Sequence, residues 1–413
     1  MIWGESRMLS DAVRLGAVCL CLIGARITAS SGLYEEEPVS DPIEAIRWLE
    51  THARQLVRQC RRELPDGRAV FPPQAGPGYE AFWLRDYAYM LEGAGDAFTP
   101  QELRDSLEFF LAAQRADGVC VDCVTFDGRP VFKPGMGSMG ENPVADGSQF
   151  MVDLAFHTWK GLGQSLPLEH ILPRLEKALE AVPRDPATGL VWIDPEKEWD
   201  RCPYGFTDTV VKKGAELFCS LLLYQSYRQM AEMEGAAGRA SWASSYSERA
   251  DRLADQIRNT FWDEKIGLFL AATHRCRQPD IWGSAFAVYL GVASPQQSVR
   301  IGEYFRDHYG QIVQAGKIRH LPGGEHWELC RTPPEQYQNG GFWGVATGWF
   351  VVALDTVDPE LARRTIVDYV RDCQRRGFPE WVNGQTLRLP MYVASATTPL
   401  PGFRRVLRLV EEQ

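Results

Sequence analysis

Apolar residues recur every three or four positions along most of the chain, which is the period of one face of an α-helix. After Asp41, for example, Ile46, Leu49, Ala53 and Leu56 fall on one such face. The pattern predicts about twelve helices, at residues 41–64, 84–96, 100–117, 145–163, 168–182, 207–232, 240–261, 280–292, 296–309, 340–354, 359–376 and 391–411.

Capping residues mark the starts of several of these helices. Residues that favour the N-cap stand directly before a proline, which suits the first helical turn, at Asp41, Thr99, Ser294 and Asp358. Thr99 and Glu102 have the spacing of a capping box. Short strands are predicted at residues 121–133 and 185–193.

Long loops rich in glycine, proline and tryptophan follow roughly every second predicted helix. They occupy residues 65–83, 118–144, 185–206, 310–339 and 377–390. Helices paired by short turns, with the long loops at one end, predict an all-α fold of six helical hairpins closed into an (α/α)6 toroid. Because no low-complexity linker divides residues 40–413, we expect a single domain whose loops form a cleft over the central cavity.

The composition excludes some classes of function and favours others. The chain has 413 residues, 45% of them hydrophobic and 24% charged, and its net charge is −10. An acidic chain without a basic run is poorly suited to bind nucleic acid, because that affinity comes mainly from neutralising phosphates. The 13 Trp, 14 Tyr and 19 Phe residues suit a core, but such rings also stack on sugar faces.

Residues 1–32 differ from the rest of the chain. Arg7 and Arg14 precede a short apolar stretch, residues 15–25, which small residues follow. This order predicts a secretory signal peptide and therefore export to the periplasm or the medium. The alternative is a disordered leader on a cytoplasmic protein. The apolar stretch is too short for a membrane-spanning helix, which needs about 20 residues, and we expect no membrane span.

Cys120 and Cys123 form a C-x-x-C pair. A zinc site of this type needs a second pair or nearby histidines, and the sequence provides neither beside it. A local disulfide or two buried thiols are therefore the favoured interpretations, and no metal is expected.

The long loops place carboxylates next to tryptophan, as in Trp83-Leu84-Arg85-Asp86 and in the segment 196–208. Hydrolysis of an acetal requires two carboxyl groups, one protonated to assist the leaving group and one ionised. Any single acid of this set is better explained as a surface charge or a helix cap. Their recurrence in the loops of a helical ring favours carbohydrate chemistry, and the sequence lacks a nucleophile elbow, a phosphate-binding loop and a dinucleotide fingerprint.

In the order of its motifs, the chain between residues 75 and 400 resembles the six-hairpin glycosidases, a superfamily that includes trehalases, processing α-glucosidase I and the alkaline/neutral invertases. Phe82-Trp83-Leu84-Arg85-Asp86 is similar to their W-x-R-D signature, and Ala145-Asp146-Gly147-Ser148 to the invertase V-D-S-G segment. Further similarities are Glu198-Trp199-Asp200-Arg201 to the trehalase G-W-D, Glu325-His326-Trp327-Glu328 to E-E-W, Tyr337-Gln338-Asn339-Gly340-Gly341-Phe342-Trp343 to Y-H-N-G-G-x-W, and Phe378-Pro379-Glu380-Trp381 to W-P-E-Y.

The resemblance implies an inverting, exo-acting glycoside hydrolase with Asp200 as general acid and Glu380 as general base, their carboxyl groups about 6.5–9.5 Å apart. Asp208 is a rival acid, since the residues after Asp200 depart from the family pattern. Arg85, Asp86 and Asp146 would hold sugar hydroxyls, and tryptophans would form the walls of the site. The full set of substrate-binding residues implied is Trp83, Arg85, Asp86, Asp146, Asp208, Glu325, Trp327, Gln338, Asn339 and Trp343. The expected partner is an oligosaccharide or other glycoside, and no cofactor is expected.

Two other functions fit the same predicted ring. One is a sugar epimerase or polysaccharide lyase, which would use His or Tyr as proton carriers; the scarcity of histidine in the loops weighs against it. The other is a carbohydrate-binding relative without catalytic activity.

Overall fold

The structure is a computed structural model that describes residues 37–132, 143–197 and 203–409. Most of these residues are helical. The α-helices are α1 (Pro42–Cys60), α2 (Leu84–Ala94), α3 (Pro100–Ala112), α4 (Gly147–Leu162), α5 (Leu168–Glu180), α6 (Leu217–Ala236), α7 (Ala240–Phe261), α8 (Ile281–Tyr289), α9 (Pro295–Asp307), α10 (Tyr309–Ile312), α11 (Thr347–Asp355), α12 (Pro359–Arg376), α13 (Val393–Thr397) and α14 (Pro399–Val406).

The helices form two concentric layers. Helices α2, α4, α6, α8 and α11 pack against one another in succession, and α13 and α14 complete the inner ring by packing back onto α2. Helices α1, α3, α5, α7, α9 and α12 pack outside them. This arrangement is the (α/α)6 toroid predicted from the sequence.

The burial of each layer follows from its sequence. The outer helix α1 buries only one face, which includes Ile46, Leu49 and Leu56. The inner helix α8 is buried continuously from Ile281 to Val288, because an inner helix is covered on all sides and needs no polar stripe. The predicted caps are confirmed, including the capping box of Thr99 and Glu102.

Short antiparallel strands connect the helices at the loop end. They are β1 (Arg62–Glu63), β2 (Ala69–Val70), β3 (Ala81–Trp83), β4 (Cys123–Thr125), β5 (Pro130–Val131), β6 (Trp192–Ile193), β7 (Gly214–Ala215), β8 (Trp262–Asp263), β9 (Leu268–Phe269), β10 (Val313–Gln314), β11 (Lys317–Ile318), β12 (Trp381–Asn383) and β13 (Thr386–Arg388). Strands β3, β4 and β5 form one sheet, in which Trp83 pairs with Cys123. In the hairpin β12–β13, Trp381 pairs with Arg388.

Three helix boundaries differ from the prediction. The helix predicted at 207–232 begins only at Leu217, and the one predicted at 340–354 begins at Thr347. The helix predicted at 391–411 is divided into α13 and α14, with Pro399 at the start of α14. A proline favours the first turn of a helix but not its interior.

Cys120 and Cys123 are buried free thiols, so the second of the two interpretations of the C-x-x-C pair applies. Within the described ranges no group of His, Cys, Asp or Glu side chains could hold a metal ion. The same residues contain no helix with the length and apolarity needed to cross a membrane. The predicted leader at residues 1–32 lies outside the described residues, and the signal peptide remains a prediction.

Candidate active site

Each of the inner helices α2, α4, α6 and α8 carries a carboxylate at its N-terminal end. Asp86 lies in the first turn of α2, and Asp146, Glu216 and Asp280 are the N-cap residues of α4, α6 and α8. The positive end of a helix dipole stabilises negative charge at this position. The loop end of the ring therefore collects acidic side chains where the long loops meet.

Arg85 is bound by two buried aspartates. Its Nε donates to Asp146 Oδ2 at 2.8 Å, and its Nη2 donates to Asp122 Oδ1 at 2.8 Å and to Asp146 Oδ1 at 3.1 Å. Asp146 Oδ2 also accepts the backbone N–H of Gly205 at 2.9 Å. The expectation that Arg85 and Asp146 also hold sugar hydroxyls stays a prediction. They bind each other and attach the loop that leads to Asp208.

Asp86 follows Arg85 and is also buried. Its Oδ1 accepts a 2.5 Å hydrogen bond from the hydroxyl of Tyr392, the N-cap residue of α13. Burial raises the pKa of Asp86 to about 6, although this hydrogen bond and the charge of Arg85 act in the opposite direction. Asp86 thus lies at the junction where the inner ring closes.

Glu380 stands directly before β12, and only 2% of its surface is exposed. The hydroxyl of Tyr79 donates to its Oε1 at 2.6 Å, and Arg388 Nε lies 3.9 Å from its Oε2. Burial raises the pKa of Glu380 to about 7, while Tyr79 and Arg388 partly offset this effect. The side chain therefore has the environment of a carboxyl group that can exchange a proton near neutral pH.

Asp208 follows a short 3-10 turn, Gly205–Thr207, in the segment predicted to be helical. Gln338 Nε2 donates to Asp208 Oδ1 at 2.7 Å. The carboxamide oxygen of Gln338 accepts from Thr209 N at 2.9 Å and from Thr209 Oγ1 at 2.7 Å. Burial raises the pKa of Asp208, and the bond from Gln338 partly offsets it. Gln338 thus orients Asp208 through both ends of its amide group.

These acids form one group, which we call the carboxylate cluster: Asp86, Asp208 and Glu380. The charges of Asp86 and Asp208 both raise the pKa of Glu380, so the side chains are within electrostatic reach of one another. Burial and the charges of all three acids raise the pKa of Tyr337 well above its usual value. Like charges this close cannot all ionise independently, and the cluster retains protons to a higher pH than isolated carboxyls do.

The backbone places Tyr337 in this position by an uncommon conformation. Its φ angle is +48°, a value that non-glycine residues seldom adopt. The Tyr337 carbonyl oxygen accepts the backbone N–H of Gly341 at 2.9 Å and Trp343 Nε1 at 3.2 Å. The loop is therefore fixed from within, as expected where a functional side chain requires an unfavourable backbone.

Among the predicted walls, only Trp83 is partly exposed. Its ring meets Tyr79 edge to face at 5.7 Å, and its buried Nε1 has no hydrogen-bond partner among the described residues. Trp343 is fully buried and Trp327 is 4% exposed. Trp327 Nε1 donates to the carbonyl oxygen of Gln338 at 2.9 Å. Both side chains support the loop that carries Tyr337 and Gln338, and their role as walls of the site stays a prediction.

The structure also describes the surroundings of Asn339 and Glu325. Asn339 Oδ1 accepts the backbone N–H of Trp327 and its Nδ2 donates to Thr332 O, both at 2.9 Å, so it organises its own loop. Glu325 is exposed, and its charge acts on Tyr304 of the outer helix α9. The expectation that Glu325 binds substrate stays a prediction. Asp200, the predicted general acid, belongs to the segment 198–202, which is outside the described residues.

The model of a protein family, described as the mannosylglycerate hydrolase MGH1-like glycoside hydrolase domain, matches residues 79–387. The match includes every described residue of the carboxylate cluster. The chain belongs to this family of glycoside hydrolases. Its class of activity is therefore that of a glycosidase acting on carbohydrate, which favours hydrolysis over the epimerase, lyase and binding-only alternatives. No curated protein matches the sequence.

Solved structures of glycosidases are similar in fold to this glycoside hydrolase. A rhamnosidase from Klebsiella oxytoca with rhamnose bound has a TM-score of 0.62 and 16% identity, over 92% of this chain and 66% of that one. A GH63 mannosylglycerate hydrolase from Thermus thermophilus in complex with glucose has a TM-score of 0.62 and 14% identity, over 86% of this chain and 100% of that one. The same enzyme in complex with Tris and D-glycerate has a TM-score of 0.63 and 14% identity, over 85% and 99%.

Sequence reasoning missed several side chains at the active site of this hydrolase. Tyr79, Asp122, Arg388 and Tyr392 lie outside the motifs, and nothing in their local sequence distinguishes them. Tyr337 is different, because it is the first residue of the motif at 337–343. Its aromatic side chain in that motif is the signal that could have identified it as an active-site residue. Tyr79 and Glu380 are 301 positions apart, so only the folded chain brings them together.

Proposed function

We propose that this glycosidase is an inverting, exo-acting enzyme with Asp208 as general acid and Glu380 as general base. The observation that carries the proposal is the carboxylate cluster, in which the charge of Asp208 raises the pKa of the buried Glu380. Inversion needs one carboxyl group on each side of the scissile bond, one protonated and one ionised.

The surroundings of the two side chains support this division of roles. Glu380 accepts from the Tyr79 hydroxyl and has Arg388 nearby, and both contacts favour its ionised form. The hydrogen bond that Asp208 accepts on Oδ1 comes from a neutral donor, the side-chain amide of Gln338. Its Oδ2 can therefore carry the proton that passes to the glycosidic oxygen. The pair titrates as a unit, and the proposed mechanism requires the one proton of the active state to lie on Asp208.

The reaction then has one displacement step. Water attacks the anomeric carbon as Glu380 takes one of its protons. The bond from that carbon to the glycosidic oxygen breaks, and Asp208 gives its proton to the leaving oxygen. The sugar product has the opposite anomeric configuration. Asp86, fixed by Tyr392, accepts hydrogen bonds from sugar hydroxyls.

The test compares the substitutions D208N, D200N and E380Q on glycosides with poor and with activated leaving groups. Loss of the acid should reduce turnover of an alkyl glycoside by about 100-fold or more and leave a dinitrophenyl glycoside much less affected. Loss of the base should reduce both. NMR of the first product identifies its anomer. A retained configuration contradicts inversion, and the acid signature in D200N with none in D208N would restore Asp200 as the acid.

We further propose that the leaving group is a small acidic aglycone such as glycerate. The family model is named for mannosylglycerate hydrolase, and a similar structure holds D-glycerate. The support from this chain is Arg331, whose charge lowers the pKa of Asp208. Its guanidinium group is thus within electrostatic reach of the proposed acid.

The substitution R331A should raise KM for a glycosylglycerate about tenfold, the value of one charge-assisted hydrogen bond. It should leave KM for a glycoside with a neutral aglycone unchanged. R252A is the matched control, because Arg252 is an exposed arginine on the outer helix α7. An equal effect of R331A on both substrates would contradict the acidic aglycone.

A further inference from the structure

The two carboxylate oxygens of Glu380 have different surroundings. Oε1 accepts the hydroxyl of Tyr79 at 2.6 Å. Oε2 lies 3.9 Å from Arg388 Nε, which is beyond hydrogen-bond distance. The backbone N–H of Glu380 donates to Arg388 O at 2.9 Å, so the main chain is also fixed. One oxygen is therefore occupied and the other is available to a water molecule.

Tyr79 is itself fixed from several directions. Its ring packs edge to face on Trp83 at 5.7 Å and in a tilted contact on Tyr392 at 6.0 Å. The loop that carries it is joined to the chain before α13, because Gln74 pairs with Tyr392 and Ala75 N donates to Met391 O at 3.3 Å. The hydroxyl can therefore direct Glu380 rather than follow it.

We infer that Tyr79 is the positioning residue of the general base: its hydroxyl fixes Oε1 of Glu380 so that Oε2 faces the attacking water and takes its proton. This inference rests on the proposed function, since it assigns a partner to the base of that mechanism. A general base must be held within hydrogen-bond reach of the proton it removes, and a short bond to one oxygen defines the direction of the other.

The hydrogen bond also affects the protonation of Glu380. The titratable and charged groups that act on this carboxyl are Tyr79, Arg388, Asp86 and Asp208. The charge of Glu380 in turn raises the pKa of Tyr337 and of Tyr392. Burial, Asp86 and Asp208 raise the pKa of Glu380, whereas Tyr79 and Arg388 lower it. Removal of the Tyr79 hydroxyl therefore raises the pKa of Glu380 further and reduces the ionised fraction at neutral pH.

The first test is the pH dependence of kcat/KM in the Y79F variant, which keeps the ring that packs on Trp83. We expect the acidic limb to move to higher pH by about one unit, the effect of one hydrogen bond to a charged group. We expect kcat to fall about tenfold and KM to change less than threefold. Y309F is the matched control, because the hydroxyl of Tyr309 bonds to Thr365 of the outer helix α12 at 2.8 Å. Its acidic limb should not move.

A second variant avoids dependence on the folding of Y79F. Incorporation of 3-fluorotyrosine at position 79 keeps the shape of the side chain and makes the phenol a stronger donor. The acidic limb should then move to lower pH, opposite to Y79F. A limb that stays unchanged in both variants, or moves in the same direction in both, would overturn the assignment of Tyr79.

A direct titration separates this inference from the proposed function. The carboxyl carbon of Glu380 can be followed by NMR in protein with 13C-labelled glutamate, and E380Q identifies its signal. Its midpoint should rise in Y79F whether or not any glycoside is hydrolysed. An unchanged midpoint rejects the role of Tyr79, whereas a shifted midpoint in a protein that hydrolyses no glycoside rejects the proposed function alone.

Discussion

Gly205 lies directly against the guanidinium group of Arg85, so closely that a Cβ atom at position 205 would overlap the central guanidinium carbon. The backbone N–H of Gly205 donates to Asp146 Oδ2, which also accepts from Arg85. Asp208 follows three residues later on the same turn. The position of Asp208 therefore depends on a buried ion pair between the inner helices α2 and α4.

We expect G205A to displace this turn, because neither Arg85 nor the backbone has room for a methyl group. A shift of about 1 Å at a catalytic group costs about 100-fold in turnover, so kcat/KM should fall by that order. G310A is the control, since nothing lies within 4 Å of a Cβ at Gly310. Steady-state kinetics measures kcat/KM of G205A and of G310A, and a melting curve of each variant shows whether it is folded. Activity of G205A within a factor of two of wild type would contradict the role of this contact.

The two aspartates that bind Arg85 should differ in their effect on stability. Asp146 makes three of the hydrogen bonds at this site, two from Arg85 and one from Gly205, whereas Asp122 accepts one from Arg85. Burial raises the pKa of Asp122 to about 7. We expect D146N to lower the free energy of unfolding by about 3 kcal/mol and D122N by less than about 1 kcal/mol. Urea denaturation measures the difference, and equal losses would contradict this interpretation of the ion pair.

Removal of the Gln338 amide should alter the titration of Asp208. The Gln338 hydrogen bond lowers the pKa of Asp208 against the effect of burial. In Q338A this pKa rises, so the proposed acid keeps its proton to higher pH and the basic limb of kcat/KM moves upward. The loosened side chain should also reduce kcat about tenfold. Q101A is the control, because Gln101 is an exposed glutamine on the outer helix α3. A basic limb that moves downward would contradict this prediction.

Glu380 should make the stability of the protein depend on pH. Burial raises its pKa from 4.5 to about 7, so the folded protein binds this proton more tightly than the unfolded chain does. The free energy of unfolding then decreases as pH rises from the unfolded value through about 7. E380Q cannot ionise, and at pH 8 it should be more stable than wild type by up to about 3 kcal/mol.

At pH 4 this advantage should disappear, since the wild-type side chain is then protonated in the folded protein. Denaturation at both pH values measures the difference. E248Q, at an exposed position of α7, is the control and should show little change with pH. A stabilisation of E380Q that is equal at both pH values would show that it arises from packing and not from the ionised carboxyl.

The helical ring could be predicted from the sequence because its signals are local. A capping residue acts on backbone groups within three or four positions, as Thr99 does on Glu102, and the apolar period is visible within a few turns. Where the prediction failed, at the starts of α6 and α11, the preceding loops are themselves buried. Residues 340 and 343–346, for example, are buried without being helical, and burial on all sides removes the contrast on which periodicity depends.

The roles of the active-site residues needed contacts between distant parts of the chain. The W-L-R-D stretch marked Arg85 and Asp86 as important, but its letters are the same whether Arg85 meets a sugar or an aspartate 61 positions away. Tyr392 and Asp86 are 306 positions apart. Local physics thus specifies the helices, their caps and the loops that carry acids. Packing across the ring decides which acid faces the substrate and which one supports the loop. A buried charge must be paired, and only the tertiary structure determines which partner lies beside it.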